Sequence, residues 1–304
     1  MKRIVSISLG SAKRDHQVVR EFGGETFTIE RIGTDGDKGR AIALIRAMDG
    51  KVDAFGMGGT DLYIYAGPRR YTFRDSARIA AAARITPIVD GSGIKNTLER
   101  RVIRFLEDKH TMSFAGKKAL VVCAVDRFGL AEALAAAGAR TVFGDLLFGL
   151  GLPFPLHSLT ALDRLARVVA PLVTLLPTSV FYPTGERQNE TTPRFGSYFR
   201  EADVVAGDFH FIRRYMPVDL GGKMIITNTV TAADEELLRE RGVATLVTTT
   251  PEMGGRSFGT NVLEAVLIAI AGKRPEEMSA DQYGRMLEEM NIEPRIKILH
   301  EQGE

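Results

Sequence analysis

Residues 119–148, ALVVCAVDRFGLAEALAAAGARTVFGDLLF, decide the fold of this chain. An apolar run reaches Val125, a short turn follows, an alanine-rich stretch has helical spacing, and a second apolar run begins at Arg140. This order of strand, turn, helix and strand is typical of one unit of a doubly wound parallel sheet. The sequence therefore predicts an α/β protein with a Rossmann-like domain around this stretch.

On both sides of this unit, short apolar runs alternate with amphipathic stretches, as in α/β proteins with mainly parallel strands. A hairpin or an ordered loop is predicted at Tyr63–Phe73, and the tail Pro275–Ile298 is predicted to be helical. The predicted strands are Arg3–Ser8, Thr26–Ile32, Val52–Met57, Thr86–Asp90, 119–125, Arg140–Asp145, Val173–Leu176, Val204–His210, Lys223–Thr227 and Ala244–Thr249.

The polar stretch Lys109–Lys118 interrupts both periodicities and marks a domain boundary. A chain of 304 residues, 44% of them hydrophobic, is long enough for two cores. We predict an N-terminal α/β substrate-binding domain over residues 1–113 and a Rossmann-like dinucleotide-binding domain over residues 114–272. Residues 273–304 are predicted to form a helical tail that packs back on the first domain.

Composition narrows the class of partner. The 40 basic and 38 acidic residues leave a net charge of +2, so bulk electrostatics does not favour nucleic acid. The apolar runs are too short for a signal sequence or a membrane span, and the single Cys123 cannot form an internal disulfide. We expect a cytoplasmic protein with a small-molecule substrate, no nucleic-acid or membrane partner and no metal. A homodimer is left open.

The turn after residue 125 is poor in glycine. The three glycine positions of a dinucleotide-binding turn fall on Ala124, Asp126 and Gly129, of which the third alone is glycine. Asp126 would compete with a diphosphate for the amides at the start of the helix. Alternatively, Asp126 is an ordinary N-cap that accepts bonds from the amides of Phe128 or Gly129.

An acidic residue that binds the ribose of NAD is expected about twenty residues after such a turn, and Asp145 lies there. The alternative is a turn carboxylate at a strand end. Two threonines end later strands on the same edge and could bond the nicotinamide or ribose, although strand propensity alone explains them. The predicted NAD (or NADP) site consists of Asp126, Arg127, Phe128, Gly129, Asp145, Thr227 and Thr248.

A second strand, turn and helix, Thr86–Asp108, places Asp90 and Lys95 at the carboxyl end of a strand, where α/β proteins bind ligands. A lysine there can move a proton if its surroundings lower its pKa, and Asp90 can assist it. The alternative is a capped turn with a solvated lysine. Arg69 and Arg70, on the predicted hairpin, either clamp a carboxylate or are solvated.

The two-part layout, the lysine turn and the run SFGTNVLEAVLIAIAGKRPEEM (Ser257–Met278) together resemble the shikimate/quinate dehydrogenase family, in particular bacterial proteins carried under the name quinate 5-dehydrogenase. The resemblance implies oxidation of a ring hydroxyl by NAD or NADP. It implies that Lys95 is the catalytic acid/base and that Glu264 contacts the substrate. It also implies that Ser8 and Ser11, which follow the first strand, correspond in position to the family's paired serines that hold the substrate carboxylate.

Two functions follow as hypotheses. The first is an NAD(P)-dependent dehydrogenase that acts on a small hydroxylated carboxylic acid, with Lys95 moving the proton and Asp90 assisting. The alternative is a non-redox protein that binds a small ligand on a degenerate Rossmann scaffold, because one fold serves unrelated functions.

Overall fold

The computed structural model describes residues 1–66, 69–110, 112–176, 191–251 and 259–300. The chain divides into two compact units. The first comprises Met1–Lys95, Val168–Gln188 and Gly259–Ile292, and the second comprises Asn96–Arg167, Asn189–Phe258 and Glu293–Glu304. Most of the polar loop that the sequence suggests at residues 183–195 lies outside the described residues.

The strands are β1 (Lys2–Ser8), β2 (His16–Phe22), β3 (Glu25–Gly33), β4 (Ala54–Gly58), β5 (Tyr63–Ala66), β6 (Arg69–Thr72), β7 (Ile88–Val89), β8 (Lys118–Val121), β9 (Arg140–Phe143), β10 (Val204–Ala206), β11 (Met224–Thr227), β12 (Thr245–Thr248) and β13 (Arg295–Ile298). The α-helices are α1 (Lys38–Met48), α2 (Arg74–Ala80), α3 (Ser92–His110), α4 (Phe128–Ala136), α5 (Leu159–Val173), α6 (Gly196–Glu201), α7 (Phe209–Tyr215), α8 (Ala232–Glu240), α9 (Thr260–Ala271) and α10 (Ala280–Glu289).

The first unit is built on a sheet of order β2-β3-β1-β4-β7, in which the pairs β1–β3, β1–β4 and β4–β7 are parallel. Its core contains Val5, Ile7, Phe55 and Met57, packed with Ile45 of α1. The apolar helix α9 contacts β1, β4 and β7. The strands β5 and β6 form a separate antiparallel hairpin.

The second unit is built on a sheet of order β13-β12-β11-β10-β8-β9. Strands β8 to β12 are parallel, and β13 is antiparallel to β12. The chain builds from β8 to β9 on one side and then continues from β10 to β12 on the other, so the strand order reverses between β8 and β10. This reversal is the usual ligand position of a Rossmann-like sheet. The predicted α/β class, with a Rossmann-like doubly wound domain, is confirmed.

Several elements differ from the sequence predictions. Residues 173–176 end helix α5 and the turn after it, because the apolar spacing there continues that of the helix. Asp208 is the N-cap of α7 and not part of a strand. The tail contains α10 followed by β13, whose alternating residues pair with β12. The edge strand β2 was not predicted, since most of its side chains are exposed.

The division into units also differs from the predicted boundaries at residues 113 and 272. Helix α9, expected in the second domain, belongs to the first unit because it packs against β4. This packing needs Gly56, where a Cβ would lie 2.9 Å from Nδ2 of Asn261. Within the described residues, no helix combines the length and the apolar character that crossing a bilayer requires.

Candidate functional site

The candidate site is a cleft in the first unit, beside the carboxyl end of β7 and the β5–β6 hairpin. Its cavity volume is about 40 Å³. We call it the strand-end cleft, and its lining consists of Tyr63, Tyr65, Arg70, Ile88, Val89, Asp90, Ser92, Gly93, Glu264, Pro275 and Glu276. Aromatic rings, carboxyl groups, a hydroxyl and a guanidinium therefore converge on one space, as in small-ligand sites.

Asp90 fixes the entrance geometry of this cleft. One of its carboxylate oxygens accepts hydrogen bonds from the amides of Leu62 (2.5 Å) and Tyr63 (3.2 Å). The other accepts from the Ser92 amide (3.2 Å) and the Ser92 hydroxyl (2.6 Å). With these four donors, Asp90 ties the start of the hairpin to the start of helix α3. Its role in the structure is to position the aromatic wall.

Glu264 forms the floor of the cleft and is only 3% exposed. Its carboxyl group accepts from the Gly91 amide at 2.8 Å and from the Tyr283 hydroxyl at 3.0 Å. Burial, followed by the nearby charge of Asp90, raises the pKa of Glu264 to about 8, although these hydrogen bonds oppose the shift. Glu264 therefore holds a proton at neutral pH and presents a carboxylic acid, which both donates and accepts hydrogen bonds.

Two glycines make room for this carboxyl group. A Cβ on Gly93 would lie 2.1 Å from Oε1 of Glu264, and Gly91 has φ +96°. A Cβ on Gly91 would also lie 2.7 Å from the backbone nitrogen of Asn261. The close approach of α9 to the start of α3 thus depends on the absence of side chains at both positions.

The β5–β6 hairpin supplies the aromatic wall. Tyr63 and Tyr65 lie edge to face, with ring centroids 6.4 Å apart. The guanidinium carbon of Arg70 lies 4.4 Å from the centroid of the Tyr63 ring, and Arg70 also hydrogen-bonds the Tyr65 phenol. Burial raises the pKa of both tyrosines, while Arg70 lowers it, and the net effect is a rise. Both phenols are neutral at physiological pH.

The structure brings three of the predicted site residues to this region. Asp90 and Glu264 line the cleft, and Lys95 follows them on α3, where its ammonium lies 3.5 Å from a carboxylate oxygen of Asp61. Lys95 is buried and outside the lining. Ser8 accepts hydrogen bonds from Arg31 and from the Gly10 amide, and Ser11 caps a short 3₁₀ turn. Both serines thus have structural roles outside the cleft.

The glycine-poor turn in the second unit is filled by the chain's own side chains. The carboxylate of Asp145 accepts from the amides of Ala124 (3.1 Å) and Val125 (2.8 Å). The Gly129 amide donates to Asn96 and the Leu130 amide donates to Glu99. These are amides that a dinucleotide diphosphate would use. The residues present therefore do not fit a dinucleotide at this turn.

This arrangement differs from what the sequence suggests. The carboxylate on the turn belongs to Asp145 and not to Asp126, because the single π-helical turn Asp145–Gly149 directs Asp145 back onto the first strand end. Burial raises the pKa of Asp145 to about 6, against the effect of the two amides. Arg127, not Asp126, is the N-cap residue of α4. An Asp145 carboxylate bound to two amides is not oriented for a ribose.

Arg127 is buried at the reversal point of the sheet and links three elements. Its guanidinium lies 3.1 Å from Glu99 on α3 and 2.7 Å from Asp208, which caps α7. Its Nε lies 3.3 Å from Asp126. Burial raises the pKa of Asp208, but the positive charges of Arg127 and His210 lower it further, so the net shift is downward. Arg127 is therefore bound in a charge network that occupies the place expected for a cofactor.

The remaining predicted cofactor residues are also engaged internally. The buried hydroxyl of Thr227 donates to the Gly207 carbonyl, and that of Thr248 donates to the Thr250 carbonyl, both at 2.8 Å. Phe128 is part of the hydrophobic core, and Gly129 permits close packing, since a Cβ there would lie 2.7 Å from the Asn96 carbonyl oxygen. In the part of the chain that the structure describes, no group of three metal-ligating side chains occurs.

Tyr63, Tyr65 and Tyr283 are site residues that were not predicted from the sequence. Tyrosines at alternating positions of a predicted hairpin were a signal, because positions 63 and 65 share one face of a strand. Tyr283 could not be found from spacing, since its contact with Glu264 joins two helices.

Two family models match the chain, and neither description names an activity. Residues 93–299 match the family model described as domain of unknown function (DUF8754), and residues 3–90 match a second one, domain of unknown function (DUF8753). No curated protein matches the chain.

Solved structures resemble the chain at low identity. A sugar ABC transport substrate-binding protein from Bordetella parapertussis has 12% identity and a TM-score of 0.36, covering 96% of this chain and 81% of its own. An Agrobacterium vitis ABC transporter solute-binding protein, bound with α-D-tagatopyranose, has 11% identity and a TM-score of 0.39, covering 92% and 90%. A periplasmic ribose ABC transporter from Conexibacter woesei has 10% identity and a TM-score of 0.39, covering 94% of each chain.

These findings correct the family prediction. The matching models are two domains of unknown function and neither is the shikimate/quinate dehydrogenase family, so the assignment to that family is wrong. The description of the chain as an NAD oxidoreductase is wrong with it. The cytoplasmic location and the homodimer stay predictions.

Proposed function

Because the chain belongs to the family described as domain of unknown function (DUF8754), we propose its function from its own residues: it is a non-redox protein that binds a small hydroxylated molecule in the strand-end cleft. The observation that carries this proposal is the buried carboxyl group of Glu264, which lines one cleft with Tyr63, Tyr65 and Ser92. Such a site is apolar along the ring faces and offers donors and acceptors for hydroxyl groups at its base.

The size of the cleft limits the ligand. Its cavity volume of about 40 Å³ is far below that of a site enclosing a whole sugar-sized molecule, so the cleft admits one end of a small hydroxylated molecule. The ring faces of Tyr63 and Tyr65 can cover the C–H faces of such a molecule. The carboxylic acid of Glu264 can donate to and accept from the ligand's hydroxyls, whereas Ser92 can accept from them, since its own hydroxyl already donates to Asp90.

Isothermal titration calorimetry with a panel of monosaccharides and polyols tests this proposal. We expect at least one member to bind, and Tyr65→Ala to weaken its affinity about tenfold or more, as loss of a buried aromatic anchor does. Tyr71→Ala is the matched control, since Tyr71 pairs with Ile64 on the same hairpin and lies outside the lining. Equal affinities in both variants, or no binding of any member, would contradict the proposal.

A further inference from the structure

The strand-end cleft carries more negative than positive charge. Its lining contains the carboxyl groups of Asp90, Glu264 and Glu276 and the single guanidinium of Arg70. With Glu264 protonated at neutral pH, the two remaining carboxylates exceed the one cation by one charge. A ligand with a positive charge would balance this excess, whereas an anionic ligand would enlarge it.

The carboxylates of Asp90 and Glu276 differ in how many hydrogen bonds they already accept from the protein. Asp90 accepts four hydrogen bonds from the protein. The carboxylate of Glu276 lies at the exposed rim, and its exposed position leaves it accessible to a ligand. A cationic group at the rim of the cleft would therefore meet Glu276 first.

The β5–β6 hairpin already holds a cation, the guanidinium of Arg70, against an aromatic ring. A cationic ligand would be bound by the same kind of contact. The Arg70 guanidinium is held 4.4 Å from the centroid of the Tyr63 ring. Cations bind ring faces because the π electrons make those faces negative, and the tyrosine ring stays neutral when its pKa is raised. The second ring, Tyr65, stands edge to face with the first at the same wall.

From the charge excess and the aromatic wall, we infer that the ligand of the strand-end cleft is a small hydroxylated amine, with its ammonium between Glu276 and the tyrosine rings. This inference rests on the proposed function and adds the substrate class to it. Arg70 is then a specificity-determining residue, because its own charge competes with the ammonium for the Tyr63 ring.

Three probes with one ring skeleton test the inference: glucosamine, glucose and glucuronate, titrated at about pH 6.5, where amino groups are protonated. We expect glucosamine to bind most tightly and glucuronate least. Glu276→Gln should weaken glucosamine about 3- to 5-fold, the size of a partly exposed charge pair, and weaken glucose less than glucosamine. Arg70→Gln should strengthen glucosamine and weaken glucuronate. Glu277→Gln, next to Glu276 but outside the lining, is the control.

The outcomes separate the two proposals. If glucose or glucuronate binds more tightly than glucosamine and Tyr65→Ala abolishes that binding, the inference is overturned while the proposed function stands. If glucosamine binds but Glu276→Gln and Glu277→Gln have equal effects, the assignment of the ammonium to Glu276 is overturned. If none of the three probes binds but another monosaccharide or polyol of the panel does, the inference is overturned and the proposed function stands. If no member of the panel binds either, both proposals are overturned.

Discussion

Glu264 keeps its proton in the folded chain at a pH where an unfolded glutamate is ionised. Its pKa is about 8 against an ordinary value of 4.5, so the folded state binds more protons between these values. Stability is therefore greatest below the lower value and is lost as the pH rises through the window, by up to about 1.4 kcal/mol per pH unit. We expect Glu264→Gln, which resembles the protonated acid, to remove this slope.

Urea unfolding between about pH 5 and pH 8 measures the slope. Asp145, with a pKa of about 6, adds a slope of the same sign at lower pH, which the variant retains. Glu289→Gln, on the exposed face of α10, is the control and should keep the whole slope. Parallel profiles for both variants would show that Glu264 is not protonated in the folded chain.

Gly91 is a second residue on which the geometry of the site depends, because there is no space for a Cβ atom there. Alanine there would adopt an unfavourable φ and would push its Cβ against the backbone of α9. We expect Gly91→Ala to lower the free energy of unfolding by about 2 kcal/mol or more and to weaken ligand binding, because the Gly91 amide orients Glu264. Gly149→Ala, which faces open space, should change the stability little. Denaturant titration of both variants is the measurement.

At the scale of elements, Arg127 holds together the ends of α3, α4 and α7. Removing a buried cation leaves Glu99 and Asp208 without the guanidinium that both contact, which costs about 3–5 kcal/mol. We expect this loss in Arg127→Met, and part of it should return when Glu99→Gln is added. Arg100→Met, which breaks the half-exposed pair with Glu132, should cost about 1 kcal/mol or less. Similar losses in the two arginine variants would contradict the buried network.

The sequence predicted elements best where periodicity alone determines them. The alternation of apolar runs and helical stretches located β1, β4, β8 and α4, because buried parallel strands and amphipathic helices have distinct spacing. It failed at β2 and β13, whose stability comes from pairing with a neighbouring strand and not from an apolar pattern.

The site was predicted only in part for a related reason. Asp90 and Glu264 were predicted as site residues, but their surroundings were not. The pKa of Glu264 depends on its burial near Gly91, which lies 173 residues earlier in the chain. The carboxylate on the glycine-poor turn was expected at Asp126, because sequence spacing identifies residues that are neighbours in the chain. It does not show that Asp145, about twenty residues later, accepts hydrogen bonds from the amides of this turn.

At the scale of the whole molecule, ligand binding and unfolding are linked. A ligand that binds only the folded chain raises its stability in proportion to the logarithm of ligand concentration. We expect a hydroxylated ligand of the strand-end cleft to raise the melting temperature. At a ligand concentration one hundred times Kd, the free energy of unfolding should increase by about 2.7 kcal/mol. The rise should be reduced in Tyr65→Ala and kept in Tyr71→Ala.

NAD and NADP should leave the melting temperature unchanged, because the amides of the second unit's turn already have acceptors. Differential scanning fluorimetry with millimolar dinucleotide is the measurement. A saturable rise in melting temperature with either dinucleotide would show that the turn rearranges to admit a diphosphate.

The position of Asp145 has a further consequence for solution behaviour. An anion attached to the same chain faces its two amides at an effective concentration that free anions seldom reach, up to the order of 10⁵ M for well-oriented groups. Inorganic phosphate, sulfate and free nucleotides in a cell are far more dilute. The turn at Ala124 and Val125 is thus protected from competition by free phosphate, sulfate and nucleotides.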